Sequence, residues 1–372
     1  MSTEPRQLTI TDLDVFTYRV PLVTPITLGG RRHDRRDGLL VRLTSASGAK
    51  GWGEVAPLPG YSQETLIEAR KEMLQLRGVL AGKSYAGANS WLQVHSDENA
   101  SASVRCGLDL AWWNLVADEQ EISPATAFSR ESRKSVSING LLMRPRREVL
   151  SRAATLRELG YTCLKLKVGH QDIDQEIALV HALRAVAGSE VSLRLDANRA
   201  WSTEQAIAFM DGIRDLGVEY VEEPLENPKG LQALASRCSV PIALDETVTA
   251  IAPEDLETYG WAHAIVLKPM LLGGITVARR LATRALDIGV NPVISASFET
   301  GIGLLGLVML SAACSVDIPA GLDTYRCLKQ DVIRPRLEVG LPRVEVASLF
   351  QGPRMVVEES LTRITGREPL TA

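Results

Sequence analysis

The sequence predicts an α/β protein whose larger part is a closed barrel of parallel strands and helices. From residue 135 onward, short apolar runs alternate with amphipathic helical stretches, a pattern typical of parallel strands that are covered by helices. Polar residues at the ends of successive runs lie 23 to 29 residues apart, the length that a strand, a helix and two loops require. Seven or eight such units in succession favour a closed barrel over an open sheet.

The first part of the chain, residues 1–130, predicts a smaller α+β domain. Residues 8 to about 57 alternate apolar and polar positions, as the strands of an antiparallel meander do. Within them, the densely charged segment around Arg31 to Asp37 predicts an exposed, mobile loop. Helical spacing follows, with one helix expected to begin at Ser62 as N-cap and a second over roughly Ala102 to Glu119.

Eight apolar runs are the candidate strands of the barrel, which is expected over residues 131–325. In chain order they are SVSING, CLKLKVG, VSLRLDAN, VEYVEEPL, PIALDET, HAIVLKP, NPVISAS and DIPAGLDT. Residues 326–372 do not continue the alternation, and we expect them to return to the first domain.

Composition excludes several classes of function. A formal charge of −4 and a pI near 5.9 indicate no basic surface for nucleic acid. No apolar run is long enough to cross a bilayer, and the N-terminus does not resemble a signal peptide. The five cysteines are scattered, which favours reduced thiols in a cytoplasmic protein, and a homo-oligomer is compatible with the sequence. The histidines are dispersed too, so any metal is expected to have oxygen ligands.

Ionisable residues end five consecutive predicted strands. In order they are Lys165 with Lys167, Asp196, Glu222, Asp245 and Lys268. The C-terminal strand ends of such a barrel line the active-site mouth, and an unpaired charge there costs several kcal/mol. One such residue alone indicates a salt bridge or a loop cap, but five strands with charges at the same level indicate a functional site.

The identity of these charges predicts metal-assisted proton transfer. Three carboxylates without a histidine suit Mg²⁺ or Mn²⁺, with open positions for water and a small-molecule carboxylate substrate. The lysines flank the carboxylates, so a bound substrate would lie between opposed amines. Lys167 is the expected base, which the nearby cation Lys165 would help to lose its proton. Lys268 would act as a second acid or base, or as a fixed cation opposite the developing charge.

The motifs around these residues resemble those of the enolase superfamily. They are KLK (Lys165–Lys167), DAN (Asp196–Asn198), VEEP (Val221–Pro224), LDE (Leu244–Glu246) and LKP (Leu267–Pro269). A lysine on each flank is similar to its muconate-lactonising-enzyme subgroup. The resemblance spans nearly the whole chain and implies a modified TIM barrel, (β/α)7β, with an α+β N-terminal capping domain. It also implies Mg²⁺ on Asp196, Glu222 and Asp245, with Glu223 and Glu246 outside the ligand set.

Within that subgroup, three segments resemble the o-succinylbenzoate synthase family. They are RLDANRAW (Arg194–Trp201), GWGEVAPLPGYSQET (Gly51–Thr65) and SASFETGIG (Ser295–Gly303). The implied reaction is the dehydration of 2-succinyl-6-hydroxy-2,4-cyclohexadiene-1-carboxylate in menaquinone or phylloquinone biosynthesis.

Other functions stay open because the subgroup shares these motifs. The resemblance extends to muconate cycloisomerases, dipeptide epimerases and N-acylamino acid racemases, and the same two lysines would serve an N-succinylamino acid racemase. A dipeptide epimerase is expected to carry D-x-D near the eighth strand, where this chain has Asp323 without a second aspartate two residues away. A non-catalytic barrel is disfavoured, because it would have no need to retain buried charges.

Four further residues are candidates for substrate binding or for support of the metal ligands. Arg194 is expected either to contact an anion or to pair with Glu223 or another barrel acid. Asn198 would orient a lysine or a ligand, and Ser295 and Ser297 share a face near the end of the seventh strand.

Two loops complete the predicted site. Residues 301–303 would open a helix whose N–H groups either hold the succinyl carboxylate or simply allow tight packing. The charged loop around Arg31 to Asp37, with Pro59 to Ser62, would be either a lid that sets specificity or an ordinary solvated loop.

Overall fold

An antiparallel sheet near the N-terminus and a larger parallel sheet organise the chain. The computed structural model describes residues 7–87, 91, 100–143, 146–350 and 355–364. Among these residues the strands are β1 Leu8–Leu28, β2 Arg31–Ser45, β3 Lys50–Val55, β4 Ser84–Tyr85, β5 Ser135–Ser137, β6 Gly140–Leu142, β7 Cys163–Lys167, β8 Ser192–Asp196, β9 Val218–Glu222, β10 Ile242–Leu244, β11 Ala264–Leu267, β12 Asn291–Ile294, β13 Ile333–Arg334, β14 Arg343–Glu345, β15 Met355–Val356 and β16 Thr362–Arg363.

In chain order, most of the helices follow strands of the parallel sheet. They are α1 Leu66–Leu80, α2 Ala102–Glu119, α3 Pro124–Phe128, α4 Arg146–Glu158, α5 Ile173–Ala187, α6 Thr203–Ile213, α7 Leu231–Arg237, α8 Pro269–Leu272, α9 Ile275–Asp287, α10 Gly301–Ala313 and α11 Val346–Phe350. Short 3₁₀ helices cover Pro228–Gly230, Glu246–Ala250, Pro253–Tyr259, Asp323–Cys327 and Glu358–Ser360. Within the described part of the chain, every helix is too short or too polar to cross a membrane.

The capping sheet has the strand order β16-β1-β2-β3, with β4 paired to β1. The prediction of a mobile loop around Arg31 to Asp37 is wrong, because β2 begins at Arg31 and pairs with β1 on both sides of one register shift between Pro21 and Ile26. The turn lies at Gly29 and Gly30, whose φ angles of 55° and 75° suit glycine. Backbone pairing with β1 stabilises this strand although most side chains at its start are polar, so side-chain patterning alone was misleading there.

Helix α1 begins later than the sequence predicted. Thr65 rather than Ser62 is the N-cap, and it forms a capping box with Glu68. The Ser62 hydroxyl instead accepts a hydrogen bond of 2.8 Å from the Leu58 N–H, which makes a turn before the helix. Helix α2 covers the predicted residues, and its Asp109 accepts a 2.8 Å hydrogen bond from the Thr276 N–H of the barrel.

The parallel sheet has the order β12-β11-β10-β9-β8-β7-β6. Its first strand is Gly140–Leu142, whereas the predicted start, Ser135–Ser137, pairs instead with β14. The predicted eighth strand is reduced to Ala320 and Gly321, which form isolated bridges to the two edges of the sheet. Ala320 accepts from Asn139 N–H at 3.0 Å and Gly321 from the Ala296 N–H at 2.9 Å, so this short segment closes the predicted barrel.

The C-terminal part of the chain contacts both sheets. Strand β14 pairs with β5 beside the barrel, and β16 pairs with β1 in the capping sheet. The predicted return to the first domain is thus seen at Thr362–Arg363, while the domain boundaries at residues 130 and 325 stay predictions.

Candidate active site

The two lysines of β7 point into the barrel. On this strand Leu164 and Leu166 are fully buried on the outer face, and the alternation places Lys165 and Lys167 on the inner face. The Lys165 ammonium lies 2.6 Å from Glu222 Oε2 and 3.0 Å from Asp196 Oδ2. The Lys167 ammonium also lies 3.0 Å from Asp196 Oδ2 and donates to Asn198 Oδ1. Its side chain is 39% exposed against 12% for Lys165, so Lys167 is the more accessible amine.

The three carboxylates lie side by side because their strands are in register. Asp196 pairs with Glu222 across β8 and β9, and Asp245 directly follows β10. All three are buried, with Glu222 fully inaccessible. Although burial opposes its charge, the ammonium groups of Lys165 and Lys167 hold the pKa of Asp196 well below its usual range.

Lys268 lies on the opposite flank, directly after β11. Its ammonium forms an ion pair with Asp245 and lies 5.9 Å from the centroid of the Tyr61 ring. Burial opposes its charge, but the carboxylates of Asp245 and Glu222 raise the pKa of Lys268 above its ordinary value. Of the two predicted roles for Lys268, these surroundings favour the fixed cation, and the role stays a prediction.

The carboxylates could hold a divalent cation, although lysines now engage them. The described residues contain no group of three acidic, histidine or cysteine side chains already gathered as a metal site. Lys165 lies between Asp196 and Glu222 instead, and Glu222 Oε1 is buried without a hydrogen-bond partner among the described residues. An all-oxygen donor set with a buried, unused oxygen suits Mg²⁺ or Mn²⁺. The assignment of the three ligands stays a prediction.

Two further glutamates support this cluster. Glu223 accepts from the Asp245 N–H at 3.0 Å and from Arg199 Nε at 3.0 Å, so it fixes the backbone that carries Asp245. Glu246 accepts from the amide of Asn198 at 3.1 Å, and burial raises its pKa to about 7. Since the same Asn198 accepts from Lys167, it joins the predicted base to Glu246, as expected of a residue that orients a lysine.

Arg194 lies at the floor of the barrel, below the carboxylates. It is 1% exposed, donates to Glu219 at 2.9 and 3.0 Å, and lies over the ring of Tyr220. It also donates to Pro319 O at 2.6 Å, across the barrel next to the closing segment. Of the two predicted roles, anion contact or an ion pair with a barrel acid, these contacts match the ion pair. The acid is Glu219 rather than Glu223, and the contacts connect strands across the floor of the barrel.

The two serines predicted near the end of the seventh strand follow β12 and have different surroundings. Ser295 follows β12, donates its N–H to Leu267 O at 2.9 Å and bridges to Gly321. Ser297 is 1% exposed, and its hydroxyl has no hydrogen-bond partner among the described residues. Their role in substrate binding stays a prediction.

Residues 301–303 open helix α10 as predicted, but the N–H groups of Gly301 and Gly303 already have acceptors within the chain. The Glu54 carboxylate of the capping sheet accepts from Thr300 N–H at 3.0 Å and from Gly303 N–H at 2.9 Å. Asp331 accepts from the Gly301 N–H at 2.9 Å. The chain's own acids thus lie at the positive end of this helix, and of the two alternatives for residues 301–303 these contacts favour a structural role over a site for the substrate carboxylate.

Three residues have contacts in the structure that the sequence did not predict for them individually. Tyr61 lies beside Lys268, Glu54 caps α10, and Arg36 is 4% exposed within a segment predicted to be a solvated loop. One signal was available: Glu54 stands in the apolar strand segment GWGEV, where a charge needs a specific partner. In the predicted lid region, Gly60 packs so closely on Gly29 that a Cβ on Gly29 would lie 2.7 Å from the Gly60 Cα.

The sequence of this chain matches two family models and a curated relative. Residues 148–349 match the family model "Enolase C-terminal domain-like", and residues 10–115 match "MenC, N-terminal domain". The o-succinylbenzoate synthase of Yersinia pseudotuberculosis is 31% identical over 344 residues, which cover 90% of this chain and 97% of that protein.

Two solved structures share the fold. The muconate lactonizing enzyme of Pseudomonas fluorescens, complexed with muconolactone, superposes with a TM-score of 0.84 at 20% identity, covering 95% of this chain and 98% of that one. A dipeptide epimerase of Enterococcus faecalis, complexed with Mg and a dipeptide, gives 0.81 at 24% identity, covering 91% and 97%. The predicted modified TIM barrel with its capping domain is confirmed, and the chain belongs to the enolase superfamily.

Proposed function

We propose that this enzyme is an o-succinylbenzoate synthase, a carbon–oxygen lyase that dehydrates 2-succinyl-6-hydroxy-2,4-cyclohexadiene-1-carboxylate. The observation that carries the proposal is the pair of amines, Lys167 and Lys268, on opposite flanks of three buried carboxylates. The likeness over 90% of the chain to a protein of that name supports this substrate over the others of the subgroup.

Asp196, Glu222 and Asp245 would hold Mg²⁺, with Mn²⁺ as a substitute. When bound, the ion supplies positive charge that binds the substrate carboxylate and stabilises the negative charge that develops on it. The buried Glu222 Oε1 without a partner supports this role. With an ion on the carboxylates, the three lysines would no longer be their only source of positive charge among the described residues.

Lys167 would remove the proton from the carbon next to the substrate carboxylate. It is the more exposed of the β7 lysines, and Asn198 holds its ammonium from one side. After the proton has moved to the Lys167 amine, the ring C–O bond breaks, and the same proton leaves with the hydroxyl as water. The electron pair of the C–H bond becomes part of the new aromatic ring, so no oxidant or reductant is needed.

Lys268 would serve as the opposing cation over the face of the ring. Its raised pKa keeps it charged near neutral pH, which suits electrostatic stabilisation better than proton abstraction. The division of labour between a base and a fixed cation thus follows from the surroundings of each lysine.

The same proposal places the enzyme in the cytoplasm, as part of menaquinone or phylloquinone biosynthesis. All five cysteines are free thiols, which supports a reducing compartment. Its partner would be the small carboxylate substrate, and any homo-oligomer would be formed by copies of this chain.

The test is an assay of the purified protein for loss of the cyclohexadiene and appearance of o-succinylbenzoate. We expect turnover with Mg²⁺, loss of turnover with EDTA, and recovery when Mg²⁺ or Mn²⁺ is added back. A protein that is folded and metal-loaded but produces no o-succinylbenzoate would contradict the proposal.

A second candidate is racemisation of N-succinylamino acids, because opposed lysines can exchange a proton on either face of one carbon. It predicts incorporation of solvent deuterium at the α-carbon of both enantiomers, and a panel of N-succinylamino acids without exchange would remove it. Dipeptide epimerisation is disfavoured, since Asp323 is engaged by Arg326 at 2.9 Å and by the Leu141 N–H at 2.9 Å.

A further inference from the structure

Arg36 joins the capping sheet to the barrel through backbone carbonyl groups. Its Nη1 donates to Pro57 O at 2.7 Å and its Nη2 to Ala56 O, both directly after β3. On its other side, Nε donates to Phe298 O at 3.3 Å and Nη2 to Ser297 O at 3.4 Å, both after β12. One planar guanidinium therefore contacts two segments, one that follows a strand of the capping sheet and one that follows a strand of the parallel sheet.

A second residue of the capping sheet holds the same barrel segment further along. Glu54 accepts from the N–H groups of Thr300 and Gly303, and it accepts a 2.5 Å hydrogen bond from the Tyr18 hydroxyl. The donors of Arg36 and the acceptors of Glu54 thus match the carbonyl and N–H groups of residues 297–303. We call residues 297–303 the β12–α10 segment.

The β12–α10 segment needs such contacts because part of it is strained. Phe298 has a φ of 61°, in the left-handed region that a bulky residue avoids. Glu299 is buried beside Glu54, and burial and that neighbour raise the pKa of Glu299 to about 7. Conformations of this kind persist only where the surroundings hold them in place.

The position of the segment connects it to the site. Strand β12 pairs with β11 through Ile294 and Leu267, and Lys268 follows Leu267 directly. Ser295 follows Ile294 as Lys268 follows Leu267, so the chain that leads into the β12–α10 segment runs beside the strand end that carries Lys268. A shift of the Ser297 and Phe298 carbonyls would move this part of the chain without displacing Lys167 on the opposite flank.

We infer that Arg36 is a positioning residue that holds the β12–α10 segment against the capping sheet and thereby sets substrate affinity. It does not take part in proton transfer. The inference rests on the proposed function for its substrate, but the contacts that carry it are independent of which substrate the site accepts.

The test compares Arg36→Lys with a matched control, Arg42→Lys, on the same strand. A lysine has one flexible ammonium and cannot reach carbonyls on two sides, so we expect KM for the cyclohexadiene to rise about tenfold while kcat stays within about threefold. Arg42 is also mostly buried but pairs with Asp14 and Glu358 inside the capping region, so its variant should keep KM within about twofold.

Hydrogen exchange gives a readout that needs no substrate. Amide exchange in residues 297–303 should be about tenfold faster in Arg36→Lys than in the parent protein, and unchanged in Arg42→Lys. If the parent protein lacks dehydratase activity, the proposed function fails, while this comparison still judges Arg36. Unchanged exchange in Arg36→Lys, or an equal rise of KM in both variants, would overturn the inference.

A glycine at position 298 provides the second variant. Glycine adopts a φ of about 60° without strain, so Phe298→Gly should make the segment less dependent on its clamp. The double variant with Arg36→Lys should therefore have a lower KM, and slower exchange, than Arg36→Lys alone. If Arg36→Lys alone is too unstable to purify, the same substitution can be made in Phe298→Gly and compared with Phe298→Gly itself. A double variant whose KM and amide exchange are no better than those of Arg36→Lys would count against the inference.

Discussion

The barrel and the capping sheet both bury charged side chains, but these side chains contact different kinds of group. In the barrel, charged side chains pair with one another, as when Lys165 lies 2.6 Å from Glu222. In the capping sheet, Arg36 donates to the Phe298 carbonyl and Glu54 accepts from the Gly303 N–H, both backbone groups of the barrel. A side-chain pair can exchange its partner for a metal ion or a substrate, whereas a charge engaged with the backbone keeps the fold in place. The contacts indicate that the barrel carries and orients its own catalytic groups, whereas the capping sheet holds a backbone segment of the barrel in place.

Removing the predicted base should have the largest effect on turnover. We expect Lys167→Ala to lower kcat by roughly 10³-fold or more, because general-base catalysis and its alignment are both lost. Steady-state assays of o-succinylbenzoate formation measure the loss. The control is Lys71→Ala on the exposed face of α1, which should keep full activity. Near-normal turnover by a folded Lys167→Ala would exclude this residue as the base.

Removing the fixed cation should have the next largest effect. Lys268→Gln is expected to lower kcat by roughly 10² to 10³-fold, since a preorganised charge opposite the developing anion is absent. Because Lys268 does not abstract the proton in the proposed reaction, the pH dependence of the remaining activity should keep the profile of the parent enzyme. A changed profile would show that Lys268 itself acts as an acid or base.

The same division explains which parts of the molecule could be predicted from sequence. Helix α2 and the charges at the C-terminal ends of β7 to β11 were predicted because helical periodicity and strand-end position are local properties. Strand β2 was missed around Arg31 to Asp37 because its pairing with β1 depends on the backbone and not on apolar side chains. The eighth strand was overestimated, since two bridging residues are enough to close the sheet.

Contacts between distant segments account for the rest. The sequence indicates that residues 301–303 begin a helix, but not that Glu54, almost 250 positions earlier, caps it. In the sequence, Arg36 is likewise one of several charges in a polar segment. In the structure it is buried and donates to the carbonyl groups of Ser297 and Phe298, which lie 261 and 262 positions away. Such partners are set by the packing of two sheets, which no local pattern encodes.

A buried acid at the junction of the two regions gives a pH-dependent prediction. Burial and the neighbouring Glu54 raise the pKa of Glu299 from 4.5 to about 7. The folded state thus keeps a proton that the unfolded chain loses, so the free energy of unfolding falls as the pH rises from about 4.5 to 7. At about 1.4 kcal/mol per pKa unit, Glu299 costs the fold at most about 3 kcal/mol at pH 8.

Glu299→Gln removes this titration, because an amide has no proton to lose in that range. Relative to the parent protein, the variant should become progressively more stable between about pH 5 and pH 7, and the difference should then stay constant. Urea unfolding at several pH values measures it, with the exposed Glu254→Gln as control. A difference that does not change with pH would show that Glu299 is not protonated in the folded state.

The smallest effect is expected where the barrel positions its own catalytic group. Asn198 accepts from Lys167 and donates to Glu246, so Asn198→Ala should leave Lys167 in place but less well oriented. We expect kcat to fall about tenfold, corresponding to about 1.4 kcal/mol, with KM nearly unchanged. Arg36→Lys is expected to do the reverse, raising KM and sparing kcat. If Asn198→Ala also acted through KM, positioning would not be divided between the regions as their contacts indicate, because a barrel residue would then control substrate affinity as well.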